Sequence, residues 1–212
     1  MNTSGTSNEL ANELDRVLVL ELVRVTEKAA IAASKLVGRG DEKAADAAAV
    51  EAMRKAFDKL EIDGTVVIGE GERDEAPMLY IGEKVGGAPG TGPKIDIALD
   101  PLEGTTITAK AGPNALAVLA AAEKGNLLNA PDTYMDKLAV GPGYPEGIID
   151  LAKSPSDNVR AVAEAKGVKP EEIIVCVLDR PRHADLIAEL RGLGCGVVLI
   201  GDGDVALSLI HI

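Results

Sequence analysis

The stretch Asp100-Pro101-Leu102-Glu103-Gly104-Thr105 sets two carboxylates three residues apart and follows them with a glycine and a hydroxyl. Carboxylate oxygens are hard donors. Two of them on one turn can converge on a cation such as magnesium, with oxygens at roughly 2.0–2.1 Å. Gly104 lets backbone N–H groups come close to a phosphate, and Thr105 adds a hydroxyl. The same pattern also suits a helix start in which Glu103 helps to cap the first turn. A second cluster, Gly69-Glu70-Gly71-Glu72-Arg73-Asp74-Glu75, directly follows an apolar run. Such charge runs are usually solvated turns. Here the glycines on both sides of Glu70 favour close backbone approach, and the preceding strand points Glu70 toward a sheet edge.

Three further groups have the right chemistry. Asp46 follows Gly38-Arg39-Gly40-Asp41-Glu42-Lys43 and opens an alanine-rich segment, where an aspartate is ordinarily an N-terminal cap. Arg180-Pro181-Arg182-His183 offers two guanidinium groups held by a proline, a pattern suited to bidentate phosphate binding or to a plain basic loop. Asp202-Gly203-Asp204 reads as a turn, or as carboxylates that accept hydrogen bonds from sugar hydroxyls.

These residues need elements to position them. Glu9 to Leu36 holds no glycine or proline, and its apolar residues recur at helical spacing; Gly38 and Gly40 then stop the helix. A second helix fits Asp46 to Leu60. Strands are expected at Val66 to Ile68, at Ile95 to Leu99 (with Pro101 stopping the ladder) and at Lys137 to Val140. Ala115 to Ala122 is a strand or a buried helix. Gly86 to Pro93 reads as a surface loop and Pro142 to Pro155 as a connection. A helix at Asn158 to Lys166 precedes a strand at Ile173 to Leu178, a helix at Ala184 to Leu193 and a strand at Val197 to Ile200. That last run is a βαβ unit with a parallel pair. The expected fold class is α/β, a layered sandwich of alternating helices and sheets. Its domains are an N-terminal metal-binding one over 1–145 and an incomplete C-terminal substrate unit over 146–212. Acidic and basic groups thus fall at the ends of separate strands, where open α/β sheets bind ligands. That is the layout of a two-metal phosphoryl-transfer cleft, with metals about 3.5–4 Å apart.

Composition narrows the partners. The net charge of −12 argues against non-specific nucleic-acid or anionic-membrane surfaces, which need basic patches. It does not argue against a phosphorylated substrate, because a few cations reverse the sign inside one pocket. With one Phe, three Tyr and no Trp, stacking platforms for bases are scarce. Cys176 and Cys195 lie in or beside apolar runs and read as buried thiols. The N-terminus lacks a signal pattern and no apolar stretch is long enough for a bilayer, so a cytoplasmic protein is expected.

At these residues the sequence resembles the class II fructose-1,6-bisphosphatases of bacteria. They belong to the wider lithium-sensitive phosphatase superfamily, which has an Asp-Pro-(Ile/Leu)-(Asp/Glu)-Gly-(Ser/Thr) core. The matching stretches are GRGDEKAAD at 38–46, DGTVVIGEGERDEAPMLYIGEKVG at 63–86, DIALDPLEGT at 96–105, NALAVLAAAEKGNLLNAPDTYMDKLAVGPG at 114–143, RPRH at 180–183 and DGDVA at 202–206. The long N-terminal arm is similar to the cyanobacterial type, which acts on fructose 1,6- and sedoheptulose 1,7-bisphosphate. The resemblance implies a Mn2+- or Mg2+-dependent hydrolase of the 1-phosphate of fructose 1,6-bisphosphate. It implies a homo-oligomer, dimer or tetramer, when full length.

The resemblance also assigns roles. Asp46 and Glu70 would hold one metal, and Asp100 and Glu103 the second. Asp74 would help to activate water, and Thr105 would sit by the scissile phosphate. Glu103, Gly104, Thr105, Tyr134, Arg180, Pro181, Arg182, Asp202, Gly203 and Asp204 would line the substrate. Two departures stand out. Glu42 occupies the place where many members carry Lys, with Lys43 one position later. The family's later Gly-Gly-Ala-Pro-Glu-Gly stretch, whose Glu completes the second metal site, has no counterpart here. The expectation is therefore a C-terminally truncated member, nearly inactive and only marginally stable, in which Leu207 to Ile212 departs from the family. The rival readings are a non-catalytic fragment that keeps metal or sugar-phosphate binding, and another lithium-sensitive phosphatase.

Overall fold

The structure is a computed structural model that describes residues 5–70, 78–127 and 135–203, with side chains from Leu18 onward. Asp74, Tyr134 and Asp204 lie outside the described residues. The chain divides into two compact units, Met1–Asp132 and Thr133–Ile212. Helices and mixed sheets make it an α/β protein, as the patterning predicts.

The first unit opens with helix α1 (Gly5–Ser34) and helix α2 (Glu42–Phe57). They pack closely because the facing residues are small: Ala29 and Ala33 on α1, Ala45 and Ala49 on α2, all 3% exposed or less. Between them Gly38 and Gly40 take left-handed φ values of 70° and 73°, which glycine adopts without a Cβ penalty. The sequence placed the start of the second helix at Asp46, and the structure corrects this. Asp41 is the N-cap, its Oδ1 accepting the Ala44 N–H at 2.9 Å, so Asp46 lies inside the helix. The earlier cap wins because its extended backbone lets the carboxylate reach back to an otherwise unpaired N–H.

Strands β1 (Asp63–Ile68), β2 (Lys84–Val85), β3 (Lys94–Glu103) and β4 (Leu116–Glu123) form one mixed sheet in the order β2-β1-β3-β4. β1 runs parallel to β3, while β2 and β4 are antiparallel to their neighbours. Ala115 to Ala122, open between strand and helix in the sequence, is thus resolved as β4. Pro101 does not end β3 as expected. The ladder slips between Asp100↔Val118 and Glu103↔Leu116, so Pro101 and Leu102 oppose Ala117 alone. A bulge tolerates a residue without an N–H, and Pro101 is fully buried there. Short helix α3 (Thr105–Ala109) follows β3 directly. Met53, Phe57, Ile62, Val66, Leu79 and Ile97 form the fully buried centre of this unit's core.

The second unit holds helix α4 (Pro155–Lys166), strand β5 (Ile174–Leu178), helix α5 (Ala184–Gly192) and strand β6 (Gly196–Ile200). β5 and β6 pair in parallel, as the βαβ pattern required. Ser154 caps α4 by accepting from Asp157 N at 3.0 Å, Pro155 fills its first position, and Gly167 ends it at φ 68°. The expected strand at Lys137 to Val140 is absent: residues 135–141 have no regular secondary structure. Four residues with one lysine and no paired neighbour do not make a ladder. Val159, Val162, Ala163, Val177, Ile187 and Leu190 build a separate core.

Candidate functional site

The parallel pairing of β1 with β3 sets the geometry in the first unit. Ile68 is in register with Ala98, and two residues beyond each come Glu70 and Asp100. Both carboxylates therefore leave the same, carboxyl-terminal end of a parallel pair. Glu70 is half-buried, and its N–H donates to Leu79 O at 2.9 Å, a bridge that continues to Tyr80. Asp100 is half-buried, with Oδ1 accepting from Leu102 N at 3.0 Å across the bulge. Glu103 closes β3 and is only 7% exposed. The bulge thus brings Asp100 and Glu103 to the strand end and swings the chain into Gly104, which caps α3 at φ 93°. Gly104 is buried and Thr105, the first residue of α3, is half-buried.

Asp46 comes to this region from α2. It is half-buried and one turn before buried Ala49 and Val50, on a helix that packs against both β3 and α3. The preceding loop is tied down as well: Gly38 N donates to Thr108 O at 2.9 Å and Gly40 N to Ala109 O at 3.0 Å. A Cβ on Gly38 would meet the Ala111 methyl at 3.2 Å, so this approach depends on glycine. Lys43 is exposed in the first turn of α2.

In the second unit the basic and acidic turns also meet at one sheet end. Arg180, Pro181 and Arg182 follow β5, and Asp202 and Gly203 follow β6, its parallel neighbour. Asp179 N donates to Ile200 O at 2.8 Å, which holds the two turns together. Arg180 is half-buried, Pro181 and Arg182 are exposed, and His183 Nδ1 lies 2.8 Å from Leu178 O. Asp202 Oδ1 accepts from Gly203 N at 3.1 Å. His183 therefore braces its own turn rather than facing a ligand.

Sequence reasoning missed the pair Arg54 and Glu83. Arg54 Nε donates to Glu83, its Nη1 donates to Asp58, and Leu79 N donates to the other Glu83 oxygen. Burial opposes the Arg54 charge, but its hydrogen bonds to Asp58 and Glu83 outweigh that and hold its pKa above the ordinary value. The available signal was a glutamate immediately before a strand, with an arginine in the last turn of the preceding helix. Among the described residues no three His, Cys, Asp or Glu side chains are grouped so as to hold a metal ion. No described helix is long and apolar enough to cross a membrane.

This is an α/β chain with carboxylates at the carboxyl end of one parallel strand pair and arginines at that of another. The family model for bacterial, glpX-encoded fructose-1,6-bisphosphatase matches residues 16–212, and the chain belongs to that family. It is 56% identical over 195 residues to fructose-1,6-bisphosphatase 1 class 2 of Escherichia coli K12, covering 92% of this chain and 57% of that protein. It is 51% identical over 196 residues to D-fructose 1,6-bisphosphatase class 2/sedoheptulose 1,7-bisphosphatase of Synechococcus sp. RCC307, covering 92% of this chain and 58% of that protein. The chain thus spans somewhat over half the length of these curated relatives.

Proposed function

We propose that the protein is a divalent-metal-dependent phosphatase that hydrolyses the 1-phosphate of fructose 1,6-bisphosphate, and that it accepts sedoheptulose 1,7-bisphosphate as well. What supports this is membership of the family, together with Glu70 and Asp100 each standing two residues beyond the Ile68–Ala98 register pair of β1 and β3. Half-buried and buried carboxylates at a sheet end are the donor chemistry a hard cation requires. Asp46 and Glu70 would hold one ion, Asp100 and Glu103 a second. When bound, Mn2+ or Mg2+ supplies Lewis acidity toward the phosphoryl oxygens.

The chain's own groups do the rest. Asp74 accepts a proton from the attacking water. The water oxygen bonds to phosphorus, the bond to the sugar oxygen breaks and that oxygen takes up a proton in exchange for the one Asp74 accepted, giving a sugar monophosphate and inorganic phosphate. Thr105 donates its hydroxyl to the phosphoryl group as charge grows on it. Arg180 and Arg182 hold the phosphate that is kept, with Pro181 fixing their turn. Tyr134, Glu103, Gly104, Asp202, Gly203 and Asp204 orient the sugar. The reading includes a homo-oligomer in a cytoplasmic, reducing compartment.

Phosphate release from fructose 1,6-bisphosphate tests the reading. It should depend on added Mn2+ and disappear in Asp100→Asn. Release that is indifferent to both would contradict it.

A further inference from the structure

We propose that Arg54 and Glu83 form a positioning pair that fixes the backbone of Glu70, and through it the affinity of the site for a divalent cation; this rests on the assignment of Glu70 as a metal-holding residue.

The chain of contacts is continuous. Glu83 is 9% exposed, and both of its oxygens are engaged on one side by Arg54 and on the other by the Leu79 N–H. Leu79 is fully buried with φ 59°, a left-handed conformation that a branched side chain rarely takes. Something must hold that peptide in place, and the Glu83 carboxylate is the group on its N–H. The carbonyl of the same residue accepts the Glu70 N–H at 2.9 Å. The segment is laced to β1 further back: Gly82 N donates to Val66 O at 2.7 Å, and Val66 N to Glu83 O at 3.0 Å. A Cβ built on Gly69 would lie 2.3 Å from Leu79 O, so the two backbones approach as closely as glycine allows. Glu70 is thus set by the Leu79 peptide, Leu79 by Glu83, and Glu83 by an arginine on α2. Asp58 holds the far side of that arginine.

A buried ion pair alone would affect only stability. A positioning pair also changes metal affinity in molecules that remain folded, as removal of groups behind metal ligands does.

The test is Mn2+ binding to the full chain by titration calorimetry, with folding checked by circular dichroism. The variants are Glu83→Gln, Arg54→Lys and, as the direct-ligand control, Glu70→Gln. Glu83→Gln should bind Mn2+ about tenfold more weakly. Arg54→Lys keeps the charge but loses the fork that spans Glu83 and Asp58, and should weaken binding about threefold. In both, the Glu70 amide should exchange its hydrogen faster. If Glu83→Gln does not fold, Arg54→Lys decides the matter. Wild-type affinity in the folded variants, with binding lost in Glu70→Gln, overturns the positioning pair alone. Unaltered binding in Glu70→Gln overturns the assignment of Glu70 as well.

Discussion

Asp100, one of the residues proposed to hold a metal, is fixed by its own backbone turn. Its Oδ1 accepts from Leu102 N, which restricts the carboxylate on the bulge. Asp100→Ala removes the bond from Leu102 N, worth about 1 kcal/mol, and the fold should survive while Mn2+-dependent turnover is lost. Urea unfolding and a phosphate assay on the same sample would check both. Arg182→Ala should raise KM, for a loss of about 1.5–3 kcal/mol from a charged contact, with kcat less affected. An unchanged KM would remove Arg182 from the substrate. Gly69→Ala is a backbone case. With the new methyl 2.3 Å from Leu79 O, it should destabilise the chain by about 3 kcal/mol, as overpacking does. At this scale the sequence was informative about residue type and poor about context. Asp46 read as a cap on residue type alone and as a metal holder only through the resemblance, because residue type does not say which of Asp41 and Asp46 has the extended backbone. The sequence was silent on Arg54 and Glu83, whose partnership spans 29 positions and exists only once α2 lies beside the turn after β1.

Among the elements, α2 and β3 carry Asp46, Asp100 and Glu103, three of the residues proposed to hold metal. α2 buries Met53 and Phe57 completely, so Phe57→Ala should cost about 3–5 kcal/mol in denaturant unfolding. The β5–α5–β6 unit was legible because a fully apolar run, a helix-period segment and another apolar run follow in order, and short parallel connections leave one topology. The β3 bulge was not legible, since proline within an apolar run signals either a stop or a bulge. A pH test belongs at this scale. Glu189 on α5 accepts from Ser156 N at 2.9 Å, and hydrogen bonding from Ser156, its side chain first and its backbone second, holds the Glu189 pKa below the ordinary 4.5. A carboxylate with a depressed folded value stabilises fully above its unfolded value and loses that contribution as pH falls through the folded one. An NMR titration should therefore place the Glu189 midpoint below 4.5, and the tie between α5 and α4 should weaken only in acid. A midpoint at or above 4.5 would show that the bond is not formed.

For the whole molecule, two units with separate cores each present a parallel strand pair, followed at its carboxyl end by residues proposed for the site. The charge of −12 on the whole chain favours cations as partners, while the arginines after β5 suit anions. Burial raises the pKa values of Cys176 and Cys195, and the charge of Glu171 adds to that at Cys195. Both thiols should stay protonated at neutral pH and react slowly with alkylating reagents. The central claim is a divalent-metal site at the carboxyl ends of β1 and β3. Substoichiometric Mn2+ added to the isotopically labelled chain tests it most directly, because the paramagnetic ion broadens nearby amide signals. The account predicts broadening centred on Asp46, Glu70 and Asp100 to Gly104, and its loss in Asp100→Ala. Broadening centred instead on exposed acidic residues such as Glu171 and Glu172, unchanged in that variant, would contradict it.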